Sequence, residues 1–330
     1  MTHAAGFLIQ QPVEAVPLDS IDSERPLYPL SFEPDLGFLT ASLKACGLLN
    51  PVVLRKTDFG FRIITGYRRV LAARVLGWSD ISSRIFSPKA DSNETDFSLA
   101  FYDNYGTRGF NLIEASLAVN GFFEHTRYDE AHIQGTILPL LGFQPERIIL
   151  QQLRELRNLI HVWKVLTIER NVALPHASLI STYDPDDQKL LYSHLAPLKL
   201  GHTTLRHCLE MMREICLREK LPLKKLLGSE PFAVLRTSER LNAVQKTENF
   251  RRLLKKRRYP QFTQVEQTYL DERRKLALPP VIQVHPPDFF EGNQLTVVFK
   301  FRSRQELQAI LESLRSAGEN EAMQKMLDML

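Results

Sequence analysis

The sequence predicts an α+β multidomain protein. A small mixed α/β domain covers residues 1–125, an all-α domain 126–228, a basic linker 229–279, and a small strand–strand–helix unit 280–330. Three observations predict this. Strand and helix signals alternate over residues 1–120. Residues 128–227 read as helix almost throughout, with no β-branched alternating run. After Pro279 and Pro280, two apolar strands precede a capped amphipathic helix.

In order along the chain, VEAVPL (13–18) reads as a short strand. LGFLTASLKACG (36–47) is helical, with Leu39 and Leu43 on one face and Gly47 at its end. PVVLRK (51–56) and FGFRIIT (59–65) are strands around a turn at Asp58–Gly60. After Gly66 a helix carries Val70, Leu71, Ala72, Ala73, Val75 and Leu76 until Gly77 stops it. DISSRIF (80–86) is a further strand, and helical pieces around 96–105 and 111–124 close the first domain. The all-α stretch is punctuated at Gly142, Pro145, Pro175, Pro185, Pro197, Gly201 and Pro222. In the last unit, VIQV (281–284) and LTVVFKF (295–301) are strands, the second with Leu295, Val297, Phe299 and Phe301 on one face. SRQE (303–306) is a capping box ahead of a stripe of Leu307, Ile310, Leu311 and Leu314. Two strands and a helix enclose little core, so this unit is expected to pair with a second copy of itself.

Composition narrows the classes. With 330 residues and 44% hydrophobic content, the chain can fill more than one core. No run approaches the roughly 18 apolar residues of a membrane helix. The start, MTHAAGFLIQQPVEAV, lacks a basic segment and a cleavage site, so a cytoplasmic location is expected. Cys46, Cys208 and Cys216 make no disulfide framework and no CxxC pair, and the histidines show no zinc spacing. Trp78 and Trp163 read as core residues. A net charge of +4 permits nucleic-acid binding without requiring it.

Two stretches carry candidate chemistry. In ITGYRRVLAARVLGW (64–78), Arg68 and Arg69 occupy the first turn of a helix, where the dipole and free N–H groups already favour negative charge. A phosphate there would resolve the crowding: Gly66 allows close backbone approach and guanidinium groups grip phosphate oxygens in pairs. Solvated or surface-paired arginines are the alternative. In DNYGTRGFNLIEAS (103–116), Asp103 and Asn104 offer hard oxygen ligands suited to Mg²⁺. Here the alternative is a helix end followed by an N-cap at Asn111, with Glu114 completing a capping box.

Taken together, VPLDSI (16–21), SLKACGLLNPVVLR (42–55), FRIITGYRRVLAAR (61–74) and DNYGTRGFNLIEA (103–115) resemble, in order and spacing, the N-terminal domains of the ParB family, which share the fold of sulfiredoxin. The resemblance implies a ParB/sulfiredoxin-like first domain that binds CTP with Mg²⁺ and closes a DNA-sliding clamp. It places Gly47, Asn50, Pro51, Gly66, Tyr67, Arg68, Arg69, Asn111 and Glu114 around the nucleotide, and Asp103 and Asn104 at the metal. Tyr67 stands where the family often has an acidic residue, and Asp103 where it has glutamate. Thr107 replaces an expected arginine, with Arg108 one place late, and Leu30 follows Pro29 where an arginine is expected.

More weakly, residues 137–159 are similar to the family's helix-turn-helix, 172–195 to the helices after it, and 293–314 to its C-terminal dimerisation unit. This implies double-stranded DNA as a partner through Gln144, Arg147, Gln151, Arg154 and Asn158. At about 100° per residue, Arg147, Gln151, Arg154 and Asn158 share one stripe, with Ile149, Leu153, Leu156 and Ile160 opposite. Glu146 at the helix start opposes phosphate. RRLLKKRR (251–258) reads equally as a solvated linker or as a salt-sensitive attraction to DNA.

The leading expectation is therefore a ParB-like, nucleoid-associated DNA partition protein with a CTP-dependent first domain and a homodimeric end. A ParA-type ATPase is the further partner that the resemblance raises. No side chain stands out as a general base, so any CTP turnover is expected to be slow. The alternatives are a nucleotide-dependent kinase or nuclease on the same first fold, and a ParB-like transcriptional regulator that has lost nucleotide binding.

Overall fold

A computed structural model describes residues 11–24, 26–86, 93–287, 290 and 292–330. The expectation drawn from the chain's first ten residues lies outside this set. The chain divides into two compact units, Met1–Ala196 and Pro197–Leu330. The division falls inside the stretch read above as one all-α domain.

The first unit opens with β1 (Val13–Pro17) and the short β2 (Ile21–Asp22), then α1 (Gly37–Cys46), β3 (Val52–Thr57), β4 (Gly60–Thr65), α2 (Tyr67–Val75) and β5 (Asp80–Phe86). The strands form one mixed sheet in the order β1-β5-β3-β4-β2. β1 runs antiparallel to β5, with Val13 opposite Arg84. β3 runs parallel to β5 and antiparallel to β4, and β2 parallel to β4. The two-residue β2 gave no sequence signal, being too short for an alternating pattern. Apolar positions from all five strands meet α2 in a single core of Val16, Leu18, Ile21, Val52, Leu54, Ile63, Val70, Ala73 and Ile81, with Trp78 packed against it.

The strand-to-helix turn depends on one glycine. Gly66 caps α2 at φ 90°, and a Cβ there would lie 2.6 Å from Val52 Cγ1. Both the left-handed backbone and the close approach to β3 exclude a side chain. This fixes where the first turn of α2 starts, and with it the two arginines.

Next come α3 (Asn93–Thr107) and α4 (Leu112–His125). A helical stretch follows, composed of Glu130–His132, a π-turn at Ile133–Ile137 and Leu138–Leu140, together α5. α6 (Arg147–Glu155) continues into a 3₁₀ turn at Leu156–Asn158, and α7 (His161–Glu169), α8 (Leu174–Ser181) and α9 (Pro185–Leu195) complete the unit. α4 is shared between the sheet and the helices: Phe122 joins Phe97 and Phe101 of α3, while the Ser116 hydroxyl donates to the Leu153 carbonyl of α6 at 2.6 Å.

The buried stripe of α6 is Leu150, Leu153, Leu156 and Leu159, at most 3% exposed, whereas Ile149 is only half-buried. The expected stripe through Ile149 and Ile160 is thus corrected by one position. Steps of three keep one face of the α-helix as far as Leu156, and the 3₁₀ turn, with three residues per turn, carries the stripe on to Leu159.

The second unit contains α10 (His202–Glu219), α11 (Leu223–Leu227), α12 (Glu230–Thr237), α13 (Ala243–Arg258), α14 (Pro260–Lys275), β6 (Ile282–His285), β7 (Thr296–Phe299), α15 (Arg304–Gly318) and α16 (Glu321–Leu327). Where a basic linker is expected over 229–279, the structure has three helices. α13 begins with a capping box between Asn242 and Gln245, and it buries Phe250 and Leu254. Four of the six cations in the basic run are paired with carboxylates. Lys255 meets Glu266 at 3.0 Å, Arg257 meets Glu219 at 2.9 Å, Arg258 pairs with Glu214, and Arg251 lies 3.3 Å from Glu248. Apolar residues at 250 and 254 fix which side of the helix faces inward, and the cations occupy the rest of its surface.

The β6–β7 hairpin is antiparallel, with Ile282 opposite Phe299. α14 supplies part of the core that the terminal unit lacks alone: Tyr269 and Leu276 pack with Val284, Ala317, Ala322 and Met326, and the Tyr269 hydroxyl donates to the Val284 carbonyl at 3.0 Å. Val297, Val298, Phe301 and Leu311 remain 38–52% exposed within this unit.

Candidate functional site

A cleft of about 500 Å³ opens in the first unit where the start of α2 meets the end of α3. Its walls include Asn50, Gly66, Tyr67, Arg68, Arg69, Asp103 and Asn104 from the sequence-predicted set, joined by Ser31, Asp35, Phe38, Leu39, Thr107 and Arg108. Residues from four separated stretches, 31–39, 50, 66–69 and 103–108, are thus brought together around the start of α2.

Each guanidinium has a defined state. Arg68 Nη2 donates to the Asp35 carbonyl at 2.5 Å, and its Nε is buried without a hydrogen-bond partner. Arg69 is held on three sides. Its Nη1 donates to the carbonyls of Asn50 at 2.8 Å and Pro51 at 3.2 Å, and its Nη2 to Asp103 Oδ2 at 2.8 Å. Arg108 makes five bonds: to Asn104 Oδ1, the Gly109 carbonyl, Glu114 Oε2, the Leu30 carbonyl and Ser31 Oγ. A guanidinium has five N–H groups, so Arg108 is saturated. Arg68 differs in having a buried donor, Nε, with no hydrogen-bond partner.

The predicted metal pair is arranged differently from expectation. Asp103 is engaged by Arg69, and Asn104 uses both ends of its amide, accepting from Arg108 at 2.9 Å and donating to the Ala100 carbonyl at 2.7 Å. Asp103 is thus bound through Oδ2 to a cation and the Asn104 amide is used at both ends, so as arranged the two do not present a shared oxygen pair for Mg²⁺. Among the described residues, no group of three or more His, Cys, Asp or Glu side chains is set to hold a metal.

Gly47, Pro51, Asn111 and Glu114 do not line the cleft. Gly47 ends α1 at φ 71°, and Pro51 contributes only its carbonyl to Arg69. Asn111 and Glu114 form the capping box of α4, and Glu114, 3% exposed, accepts from Arg108 as well as from the Phe32 amide. Their spacing served a helix start, the other reading of the same pattern. Tyr67 lies on the wall, with its side chain packed against the sheet core. Ser31, Asp35 and Phe38 were missed because no motif marks them. Arg108 was visible only as an arginine one place out of register.

A second concavity, of about 450 Å³, lies along α6 and is lined by Arg147, Gln151, Arg154 and Asn158 together with Glu130, Glu155 and Arg157. The Arg147 side chain is 84% exposed and 3.3 Å from Glu130. Gln151 Nε2 donates to Glu155 Oε1 at 3.0 Å, and the Arg154 guanidinium lies 4.1 Å from the Phe123 ring centroid. Gln144 sits in the turn before α6, exposed and outside this concavity.

Comparison with known proteins follows the same regions. Residues 3–104 match the ParB N-terminal domain family. The chromosome-partitioning protein ParB of Myxococcus xanthus is 32% identical over 108 residues, 32% of this chain and 34% of that protein, so the chain spans about a third of that relative's length. The probable chromosome-partitioning protein ParB of Campylobacter jejuni is 24% identical over 202 residues, 59% of this chain and 68% of that one. Among solved structures, a C-terminally truncated chromosome-partitioning ParB from Caulobacter crescentus complexed with CTP-γ-S covers 54% of this chain and 96% of its own, at 19% identity and a TM-score of 0.24. Over residues 3–104, then, this chain is similar to the ParB N-terminal domain family.

Proposed function

We propose that this chain is a ParB-like DNA-binding protein of DNA partition or nucleoid organisation, acting on the nucleoid in the cytoplasm. The cleft takes the triphosphate of CTP, and the α6 face, through Arg147, Gln151, Arg154 and Asn158 with Gln144 beside it, meets double-stranded DNA. The second unit joins two chains. A ParA-type ATPase is the partner such a protein would use. The observation that carries this reading is the convergence of Arg68 and Arg69 with Asn50 and Gly66 at the start of α2, inside the stretch that matches the family. The spare Arg68 donor and the free N–H groups of α2 supply what a phosphate needs.

Titration of the purified chain with CTP, ATP and GTP, with and without Mg²⁺ and DNA, tests it. CTP-selective, saturable binding that falls at least tenfold in Arg68→Ala is the expected result. A specific observation favours a second reading, a regulator without nucleotide: Arg69 and Arg108 are already neutralised by Asp103 and Glu114. DNA binding indifferent to every nucleotide would establish that alternative and refute the first.

A further inference from the structure

Resting on the nucleotide reading of the cleft, we infer that Asp103 is the internal counter-ion of Arg69, which an anionic ligand must displace, and not a ligand of a divalent cation. The ion pair measures 2.8 Å, with the arginine side chain 16% exposed and the aspartate 33%. Arg69 is the immobile partner, because the carbonyls of Asn50 and Pro51 anchor its Nη1. Asp103 is the movable one, since Arg69 is its hydrogen-bonded side-chain partner and it stands at the cleft wall. Asn104, the other half of the expected metal pair, is locked by Arg108 and the Ala100 carbonyl. At the expected metal pair a cation would therefore find one carboxylate, already paired through Oδ2 with Arg69.

The arrangement sets a threshold for entry. A phosphate taking the place of Asp103 on Arg69 Nη2 must replace a carboxylate that already balances the guanidinium charge, and then lies beside the carboxylate it displaced. Two like charges that close repel strongly in a cleft shielded from bulk water. A singly charged phosphate group gains too little to overcome this. A triphosphate, which also engages the spare Arg68 donor and the α2 N-terminus, gains more. Asp103 thereby selects for polyphosphates.

The sign of one substitution decides between the two roles. In buffer with EDTA, CTP affinity is measured by calorimetry for the full chain and for Asp103→Asn and Asp103→Ala, with folding checked by thermal melting. The counter-ion role predicts binding about tenfold tighter in both variants, and a smaller CTP-to-CMP preference. Asp35→Asn, which removes the other cleft carboxylate without touching Arg69, controls for net charge and should gain distinctly less. Unchanged or weaker binding at position 103, or an equal gain at position 35, overturns the inference while leaving nucleotide binding intact. If the parent chain binds none of CTP, ATP and GTP, with or without Mg²⁺, the nucleotide reading itself falls and takes this with it.

Discussion

Arg108 Nη1 and Glu114 Oε2 lie 2.6 Å apart, and between them these two side chains hold the segment that forms one wall of the cleft. Arg108 Nη2 donates to the Leu30 carbonyl and to Ser31 Oγ, while Glu114 Oε1 accepts from the Phe32 amide. Glu114 also closes the capping box of α4, so one carboxylate ties the end of α3, the start of α4 and residues 30–32 together. Arg108→Ala would leave that carboxylate, 3% exposed, without its counter-charge. Breaking a buried pair from one side costs about 3–5 kcal/mol, and the 18% exposure of the arginine side chain places the expectation at the lower end. Urea denaturation should show a loss of about 3 kcal/mol. A loss below about 1 kcal/mol would mean the pair carries no structural weight.

Phe38 stands at the cleft with 91% of its surface exposed, so its ring supports no core. An exposed aromatic face beside the proposed phosphate position suits a nucleobase, and base–aromatic stacking contributes about 1–3 kcal/mol. Phe38→Ala should weaken CTP binding about five- to tenfold and leave the melting temperature unchanged. Equal affinity in parent and variant would remove Phe38 from the site.

How much of this was legible depended on the range of the interaction. Strands and helices of the sheet domain followed from local periodicity, and Gly66 with Arg68 and Arg69 followed from helix-terminus electrostatics, which act within one turn. Asn111 and Glu114 show the ambiguity of a short pattern: the spacing that suggests a ligand set also makes a capping box, and only the burial of Glu114 against Arg108 separates the two. Asp35 and Phe38 were invisible because their place at the cleft depends on chain some thirty residues away in sequence. The residues read as a basic linker became helices for a similar reason. Phe250 and Leu254 are ordinary in isolation and become a core stripe only against partners such as Phe232.

Arg147 begins α6 with its side chain 84% exposed and one weak surface partner, Glu130 at 3.3 Å. An exposed pair of this kind contributes little to stability, so the guanidinium is available to a DNA phosphate or base edge. Arg147→Ala should weaken binding to duplex DNA across sequences and lower the slope of log affinity against log salt by about one. Folding should be unaffected. An unchanged salt slope would place the DNA contact elsewhere.

Gln188 on α9 organises the junction between the turn after α6 and the start of α7. Its Oε1 accepts from the Ile160 amide at 2.9 Å, and its Nε2 donates to the carbonyls of Asn158 at 3.1 Å and Tyr183 at 2.9 Å. Its own carbonyl accepts from Trp163 Nε1 at 2.8 Å, and both side chains are fully buried. The amide side chain is thus satisfied at both ends, and three backbone groups depend on it. Gln188→Leu keeps the volume but strands the Ile160 amide and the Asn158 carbonyl, each costing about 1–3 kcal/mol when buried and unpaired. The expected result is a destabilisation of about 3 kcal/mol in urea, with the near-ultraviolet signal of Trp163 altered. Because Asn158 ends the segment that begins with Arg147, weaker DNA binding should accompany it even at temperatures where the variant is folded. A variant that is destabilised yet binds DNA as tightly as the parent would show that the end of this segment does not position the contacting side chains.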